Sequence, residues 1–264
     1  MQGPNYPYTE DIIKHYLKHP LIEGIVLSCW ETDPLVSIKD SRLVVLYNEE
    51  IPVDPGVGNR NRQIYTSKNG LKYLQGDYCA KMRTDQKITH ESLSMMDRFY
   101  KKFKDTKRSP ISVVSGGDCF PHELFVLGMY TKFPFHPRDH VFWGEKMALE
   151  DLFNIPYDLT QHDKKPPDYS EVLRAEAFIG MYYYARFAPK TIGEFIKNPK
   201  TYLVDNAPKL QEAIKVYNQW REFVFKPFPR IQMDWPKHHI TTTTYPFERN
   251  KKMFSEYWHD EVWE

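Results

Sequence analysis

The sequence predicts an α/β fold, in which helices cover both faces of a mostly parallel central sheet to give three α/β/α layers, followed by a helical C-terminal part. Through roughly the first 120 residues, strand and helix patterns follow the order β-β-α-β-α-β. The first strand pattern, Gly24–Trp30, is a continuous apolar run, as expected of a parallel strand buried on both faces. Helical patterns dominate from residue 121 onward. We therefore expect a single domain over residues 1–264, with a change of character near residue 120.

Each element is predicted from its apolar spacing and from the turn residues around it. In the first half the predicted elements are helix 9–18, strand 21–30, strand 42–47, helix 59–74, strand 77–83, helix 91–104 and strand 111–115. In the second half they are helices around 147–149, at 170–187, near 191–197 and at 206–221. The proline- and glycine-rich stretch 52–58 predicts a loop before the helix at 59–74. The tail from residue 235 shows no clear period.

The composition indicates a globular protein and gives no sign of nucleic-acid binding. The chain is 41% hydrophobic and 27% charged, which excludes a disordered chain. Its formal net charge of +1 provides no surplus of basic residues to hold a polyanion. Aromatic residues make up 15% of the chain, which suits either a filled core or faces that stack on sugars, and the core is the commoner use.

The cysteines and the apolar runs together indicate a cytoplasmic protein. Cys29, Cys79 and Cys119 are odd in number and widely spaced, so they match neither a zinc motif nor a disulfide framework. No apolar run is long enough to cross a bilayer, and the first residues do not have the pattern of a signal peptide. We expect a soluble protein, or one that contacts a membrane only peripherally.

Two arginine-bearing stretches predict a site for a phosphorylated ligand. Arg60, Arg62 and Gln63 open a helix after a loop, and both helix N-termini and guanidinium groups bind phosphate oxygens. Arg83 and Asp85 follow a strand, at the edge where open α/β sheets bind their ligands. The plain alternatives are an ordinary exposed helix turn and a solvated arginine–aspartate pair.

A divalent cation at Asp85 is one of two open alternatives. A carboxylate at the end of a strand suits Mg²⁺ or Mn²⁺, which bridges two phosphates. A second acid two residues earlier would strengthen such a site, but that position holds Arg83. Either Asp118, Asp139 or a C-terminal histidine such as His238 completes the metal site, or no metal is needed and Arg83 supplies the positive charge.

Residues of the second half are candidates for handling an acceptor. Asp139 lies among aromatic residues, where partial desolvation would suit a general base, and His136 and His140 are its neighbours. Glu176 lies within a predicted helix, and its candidate role is a hydrogen bond to an acceptor hydroxyl. A charged loop and a solvated helical glutamate are the plain alternatives.

Several common enzyme motifs are missing from the chain. The sequence has no GxGxxG, no P-loop lysine, no GxSxG and no HExxH. Their absence argues against dinucleotide oxidoreductases, P-loop kinases, α/β-hydrolases and zinc proteases of the HExxH type.

Several segments resemble the WavE-type lipopolysaccharide-synthesis proteins, which are taken to be GT-A-like glycosyltransferases. The matching segments are Ile25–Trp30, Asn61–Ile64 followed by Asn69–Leu71, Lys81–Gln86 and Arg138–Gly144. The resemblance covers roughly residues 22–155 with gaps, and it weakens beyond them apart from the region Trp235–Tyr245.

The resemblance implies transfer of a hexose or pentose from a nucleotide-sugar donor to a glycan or glycolipid acceptor of the cell-surface type. Residues 1–120 would bind the donor, and residues 121–264 would bind the acceptor. Asp85 would stand where GT-A enzymes keep the last acid of their Asp-X-Asp motif, with Arg83 in place of the first acid. Asp139 would deprotonate the acceptor hydroxyl in an inverting displacement, beside His140 where an aromatic residue is expected.

The residues assigned to these roles form three groups. The donor-binding group is Trp30, Arg60, Arg62, Gln63, Arg83 and Asp85; the acceptor-binding group is His140, Trp143 and Glu176; the metal-binding group is Asp85 and His238.

Two other functions stay open on the sequence. A nucleotidyltransferase shares the α/β shape, but it normally carries a glycine-rich loop and a lysine after the first strand, and Trp30–Asp33 has neither. A non-catalytic glycan- or partner-binding module on a degenerate transferase scaffold would account for the missing acid and for the many aromatic residues.

Overall fold

The structure is a computed structural model, and only part of the chain is described by it. The described residues are 1–103, 124–126, 135–137, 140–159, 175–185, 192–193, 196, 226–227, 231–238 and 240–245. The strand predicted at 111–115 and the helix predicted at 206–221 lie outside these residues, as does most of the helix predicted near 191–197.

The described elements form a mixed α/β architecture. The helices are α1 (Thr9–Leu17), α2 (Arg60–Tyr73), α3 (His90–Phe103), α4 (Lys146–Phe153) and α5 (Ala175–Ala185). The strands are β1 (Ile25–Trp30), β2 (Leu43–Asn48), β3 (Tyr78–Met82), β4 (Lys87–Ile88), β5 (Leu124–Val126), β6 (Val141–Glu145), β7 (Lys226–Pro227), β8 (Ile231–Trp235) and β9 (Ile240–Tyr245). Short 3₁₀ turns precede α2 and follow β8.

The elements predicted before residue 104 are confirmed, since α1, β1, β2, α2, β3 and α3 agree with the predictions to within a few residues. The short strands β4 to β9 were not predicted. β6 lies in an aromatic stretch without polar alternation, and β9 is mostly threonine. The apolar run of β6, Val141–Trp143, is only three residues long, and β9 has no such run, so neither matches the longer apolar runs on which the strand predictions depended.

The first residues of the chain join two groups of strands. β1 pairs with β2 in parallel. Residues 1–3 then run beside β1, where the Ser28 amide donates to the Met1 carbonyl at 2.9 Å. On their other side the Gln2 amide donates to the Met82 carbonyl at 2.9 Å. Gln2 thus forms parallel bridges to both Ser28 and Arg83. The resulting order of rows is β2, β1, residues 1–3, β3, β6, β5 and β7.

The prediction of a mostly parallel sheet is wrong for the described strands. Apart from the single parallel bridges of Gln2, the β1–β2 and β5–β7 ladders are parallel, whereas the β3–β6, β5–β6, β4–β8 and β8–β9 ladders are antiparallel. The reason is that β6 returns beside β3 in the opposite direction and that β8 and β9 form a hairpin. The β-β-α-β-α-β order identified the parallel rows at one side of the sheet but not these returning strands.

Helices pack against the strands through two apolar clusters. Neighbouring residues of β6 alternate between them, because Phe142 belongs to the cluster with α2, α4 and α5, whereas Val141 and Trp143 belong to the cluster with α1 and α3. Since successive side chains of a strand point to opposite faces, the two clusters lie on opposite sides of β6.

Three histidines lie together where α1 meets α3. The rings of His15 and His90 have their centroids 4.2 Å apart, and the ring of His19 lies 5.0 Å from that of His90. The His15 Nε2 lies 2.7 Å from the Ile88 carbonyl, which only accepts, so this nitrogen carries the hydrogen. Burial lowers the pKa of His15, and the neighbouring charges of His90 and Lys87 act in the same direction. Burial therefore favours the neutral imidazole, although the hydrogen bond to the Ile88 carbonyl opposes this lowering of the His15 pKa.

We predict that this cluster makes the fold less stable in mild acid. Because the pKa of His15 lies below its ordinary value of 6.5 in the fold, the unfolded chain takes up the proton first as pH falls. The contribution of neutral His15 to the free energy of unfolding is fully present above pH 6.5 and is lost as the pH falls below that value. Thermal unfolding at pH 7.5 and 5.5 should show a smaller acid loss in His15→Gln than in the original chain. Equal losses in both proteins would contradict the assignment.

Candidate functional site

The parallel rows end together at one edge of the sheet, here called the carboxyl edge. β1 ends there at Trp30, the row of residues 1–3 continues into Asn5, and β3 continues into Arg83. The antiparallel β6 begins at this edge, because Val141 pairs with Met82. The edge of the sheet thus brings the ends of four segments close to one another, in the position where open α/β sheets bind ligands.

The side chains of Trp30 and Arg62 form what we call the aromatic platform. The Arg62 guanidinium lies 5.4 Å from the centroid of the Trp30 ring. The Tyr65 ring stacks on Trp30 with a centroid distance of 6.3 Å. Arg62 lies in the first turn of α2, the helix that follows β2. Its guanidinium also donates two hydrogen bonds to the Glu50 carboxylate. The structure thus brings together two residues of the predicted donor-binding group.

Asn5 and Asp33 form a second polar group at the carboxyl edge, which the sequence prediction missed. The Asp33 Oδ2 accepts from the Trp30 amide at 2.9 Å and from the Asn5 amide at 3.0 Å. The Asn5 Nδ2 donates to the Pro34 carbonyl at 2.6 Å. The Asn5 Oδ1 is buried and has no hydrogen-bond partner among the described residues. An aspartate three residues after a strand end was the available signal for this group.

Arg83 and Asp85 form a bidentate ion pair. The Arg83 Nε lies 2.9 Å from the Asp85 Oδ1, and the Nη2 lies 3.0 Å from the Oδ2. The Asp85 side chain is 2% exposed and that of Arg83 is 29% exposed. A buried carboxylate is thereby neutralised by a cation that still reaches the surface. The side chain of Arg83 is positioned by this contact.

The segment around Asp85 is anchored on both sides. The Thr84 Oγ1 donates to the Pro4 carbonyl at 2.7 Å, and the Tyr16 hydroxyl donates to the Gln86 carbonyl at 2.9 Å. The buried Gln86 side chain contacts the His140 Nδ1 through its amide nitrogen. His140, predicted to bind the acceptor, therefore lies at the same edge as Arg83 and is held by Gln86.

Two tyrosines and a lysine extend this edge and were also missed by the sequence prediction. The rings of Tyr6 and Tyr8 stack with centroids 5.3 Å apart. The Lys237 ammonium lies 5.6 Å from the centroid of Tyr6. Burial, and next the charge of Asp85, raise the pKa of Tyr8 to about 12. The N-terminal loop thus places aromatic faces beside the Arg83–Asp85 pair, and no sequence pattern marks them.

The structure places Arg60 in the interior, away from the aromatic platform. Its side chain is 1% exposed and its Nη1 lies 3.0 Å from the Asp158 Oδ2. The guanidinium also lies 5.0 Å from the centroid of the Phe178 ring. Burial lowers the pKa of Arg60, and the carboxylates of Asp158 and Glu176 oppose that shift. Arg60 therefore holds the start of α2 against the segment before residue 160 and against α5.

The other predicted site residues are distributed differently from the prediction. Trp143 is 1% exposed within the core, and Gln63 is buried in α2. Glu176 lies in the first turn of α5, close enough for its carboxylate to oppose the lowering of the Arg60 pKa. Asp139 and the side chain of His238 lie outside the described part of the chain. The roles given to these five residues stay predictions.

The described residues do not fit a resident metal ion at Asp85. No group of three histidine, cysteine, aspartate or glutamate side chains there, or elsewhere in the described part of the chain, is arranged to hold one. Both oxygens of the Asp85 carboxylate are engaged by Arg83. A hard divalent cation needs several oxygen ligands. The residues that would complete a cation site, Asp118, Asp139 and the side chain of His238, lie outside the described part of the chain, so the first alternative stays a prediction.

A comparison with protein families shows to which family the chain belongs. The family model described as WavE lipopolysaccharide synthesis matches residues 12–224, which is well over half of the chain. The chain belongs to the WavE family. The resemblance seen in the sequence is thereby confirmed, and the match continues past residue 155, where the sequence resemblance weakened.

Membership of the WavE family indicates a role in the synthesis of lipopolysaccharide. No curated protein and no solved structure matches the WavE chain. Among its described helices none is long and apolar enough to cross a membrane.

The interior position of Arg60 gives a prediction about stability. Arg60→Met leaves the buried Asp158 carboxylate without its cation, which costs about 3–5 kcal/mol in the free energy of unfolding. The exposed Arg62–Glu50 pair provides a matched control, and Arg62→Met should cost less than about 1 kcal/mol. Urea unfolding of both variants measures the difference. Similar losses in the two variants would show that Arg60 does not stabilise the fold in this way.

Proposed function

We propose that the WavE chain is a glycosyltransferase of lipopolysaccharide synthesis, which moves a sugar from a nucleotide-sugar donor to a hydroxyl of a glycan acceptor. The observation that carries the proposal is the convergence of Trp30, Arg62 and Arg83 at one carboxyl edge of the sheet. An aromatic face and two guanidinium groups suit a nucleoside diphosphate, which combines a flat base with two phosphates.

The buried Asn5 and the half-buried Asp33 support a binding position for the nucleoside at the carboxyl edge. The Asn5 Oδ1 is an acceptor that lacks a hydrogen-bond partner among the described residues, and such a group is costly unless a donor reaches it. A base N–H or a ribose hydroxyl supplies such a donor. We place the nucleoside at Asn5 and Asp33, with the diphosphate between Arg62 and Arg83.

The finer fold assignment belongs to the same proposal. The alternation of β6 side chains between two apolar clusters supports helices on both faces of the sheet, as in a GT-A-like three-layer fold. The parallel rows β2, β1, residues 1–3 and β3 would form the half that binds the donor. Residues after 121 would bind the acceptor.

The proposed reaction needs one base and stabilisation of one leaving group. The acceptor oxygen forms a bond to the anomeric carbon while the bond from that carbon to the diphosphate oxygen breaks. Asp139 takes the proton of the acceptor hydroxyl, and the electron pair of the broken bond goes to the diphosphate. Arg62 and Arg83 stabilise the charge that grows on the diphosphate, which lowers the barrier.

A non-catalytic glycan-binding module is the second candidate, and the Arg83–Asp85 pair favours it. A carboxylate neutralised within the chain is no longer available for a metal ion. The aromatic surfaces of Trp30, Tyr6 and Tyr8 would suit saccharide binding without catalysis. Transfer to any acceptor, or hydrolysis of a sugar nucleotide, would exclude this candidate.

We predict that one sugar nucleotide stabilises the chain against thermal unfolding. A ligand present at 100 times its Kd adds about 2.7 kcal/mol to the free energy of unfolding. Arg83→Gln and Asp85→Ala should each reduce the shift, since the first removes a phosphate contact and the second removes the group that positions Arg83. A panel of sugar nucleotides, with and without Mn²⁺, measures this. A panel without any shift in the original chain would count against the transferase.

We predict that Asp139→Asn abolishes transfer and leaves donor binding intact, because an amide does not accept the proton. Transfer is measured with the donor found in the thermal panel, and donor binding by calorimetry on the same samples. Glu23→Gln is a suitable comparison, since it changes an exposed carboxylate before the start of β1, at the end of that strand away from the carboxyl edge. If Asp139→Asn still transferred sugar at the original rate, another residue would have to be the base.

A further inference from the structure

The guanidinium of Arg62 already holds an anion supplied by the chain itself. Its Nε donates to the Glu50 Oε1 at 3.0 Å, and its Nη2 donates to the Glu50 Oε2. Two parallel hydrogen bonds of this kind are also how a guanidinium group grips a phosphate. The Glu50 carboxylate thus occupies the donor groups that a phosphorylated ligand would use.

We propose that Glu50 is a built-in competitor for Arg62, whose carboxylate leaves the guanidinium when a ligand of the diphosphate class binds there. The inference rests on the proposed function in one respect, namely that Arg62 faces the phosphates of the donor. It adds a residue that controls affinity at that site. Glu50 was not among the residues that the sequence indicated.

The exposure of the pair makes this exchange feasible. The side chains of Arg62 and Glu50 are 36% and 55% exposed, so both are already in contact with water. Exposed ion pairs contribute little to stability, since water and salt weaken the attraction. A diphosphate carries more negative charge than one carboxylate, so it competes well for the same guanidinium.

The surroundings of Arg62 keep it in place while Glu50 moves. The guanidinium lies over the Trp30 ring at 5.4 Å, and Trp30 is in turn stacked on Tyr65. The start of α2 is fixed by Asn61, whose Nδ2 donates to the Asp54 carbonyl at 2.7 Å and to the Asp158 carbonyl at 2.8 Å. An incoming anion therefore meets a guanidinium that is already oriented.

Glu50 has no comparable anchor. Apart from Arg62, its carboxylate accepts only from the amide of Ile51, at 3.2 Å, among the contacts of the described residues. The pairing with Arg62 lowers the pKa of Glu50, so the carboxylate stays charged at neutral pH and continues to compete. The Asp85 side chain differs, because it is 2% exposed and lacks a route into water. Asp85 positions its arginine, whereas Glu50 competes for its own.

Binding of inorganic pyrophosphate to the full chain, measured by calorimetry at low ionic strength, tests the proposal. Glu50→Gln should bind up to about fivefold more tightly, which corresponds to the loss of one exposed ion pair. Arg62→Gln should lose this binding, and Glu50→Gln combined with Arg62→Gln should show no gain over Arg62→Gln alone. Glu49→Gln is the matched control, because it removes the same charge from an exposed neighbouring residue.

The outcomes separate this proposal from the proposed function. A gain in Glu50→Gln that exceeds the gain in Glu49→Gln supports competition at Arg62. Equal gains, weaker binding in Glu50→Gln, or no binding of pyrophosphate by either protein would overturn the proposal. If Glu50→Gln gained affinity for pyrophosphate but no sugar nucleotide stabilised the chain, the competitor role would stand and the transferase would fail.

Discussion

The pairing of residues 1–3 with β1 on one side and β3 on the other holds the candidate site together. Without this row, Trp30 and Arg83 would belong to separate strand groups with no backbone contact between them. Gly3 is required in this row, since a Cβ there would lie 2.9 Å from the Thr84 Oγ1 and its φ is +128°. The relative positions of the aromatic platform, of Asn5 and of the Arg83–Asp85 pair all depend on this contact.

Arginine–carboxylate pairs dominate the electrostatics around the site, and their burial separates their roles. Arg60 and Asp158 are both buried, so the pair joins secondary-structure elements and is costly to break. Asp85 is buried but Arg83 is not, so a fixed acid orients a cation that faces outward. Arg62 and Glu50 are both exposed, which allows the pair to exchange partners. Three similar contacts therefore stabilise the fold, orient the Arg83 guanidinium and, as we propose, control the affinity for a ligand at Arg62.

The sequence was sufficient for the elements before residue 104, for the carboxyl edge and for the family, but not for the direction of the later strands. β6 pairs with β3 over a long separation, and local apolar spacing carries no information on such pairing. The arginines show a similar limit. Arg60 and Arg62 are two positions apart on a helix, so their side chains point to different faces. Because both are arginine, the residue type alone does not indicate which of the two is buried. The single-domain organisation stays a prediction.

The bridge between Gln2 and Arg83 also bears on how the molecule folds. Residues near this bridge, such as Pro4 and Thr84, contact each other across 80 positions of the chain. Contacts of such separation form slowly, because the intervening chain loses much of its freedom before the contact is made. We therefore expect the edge that carries the candidate site to become complete late in folding, after α1, β1 and β2, which depend on nearer neighbours. Folding and the acquisition of binding capacity are thus expected to finish in the same step.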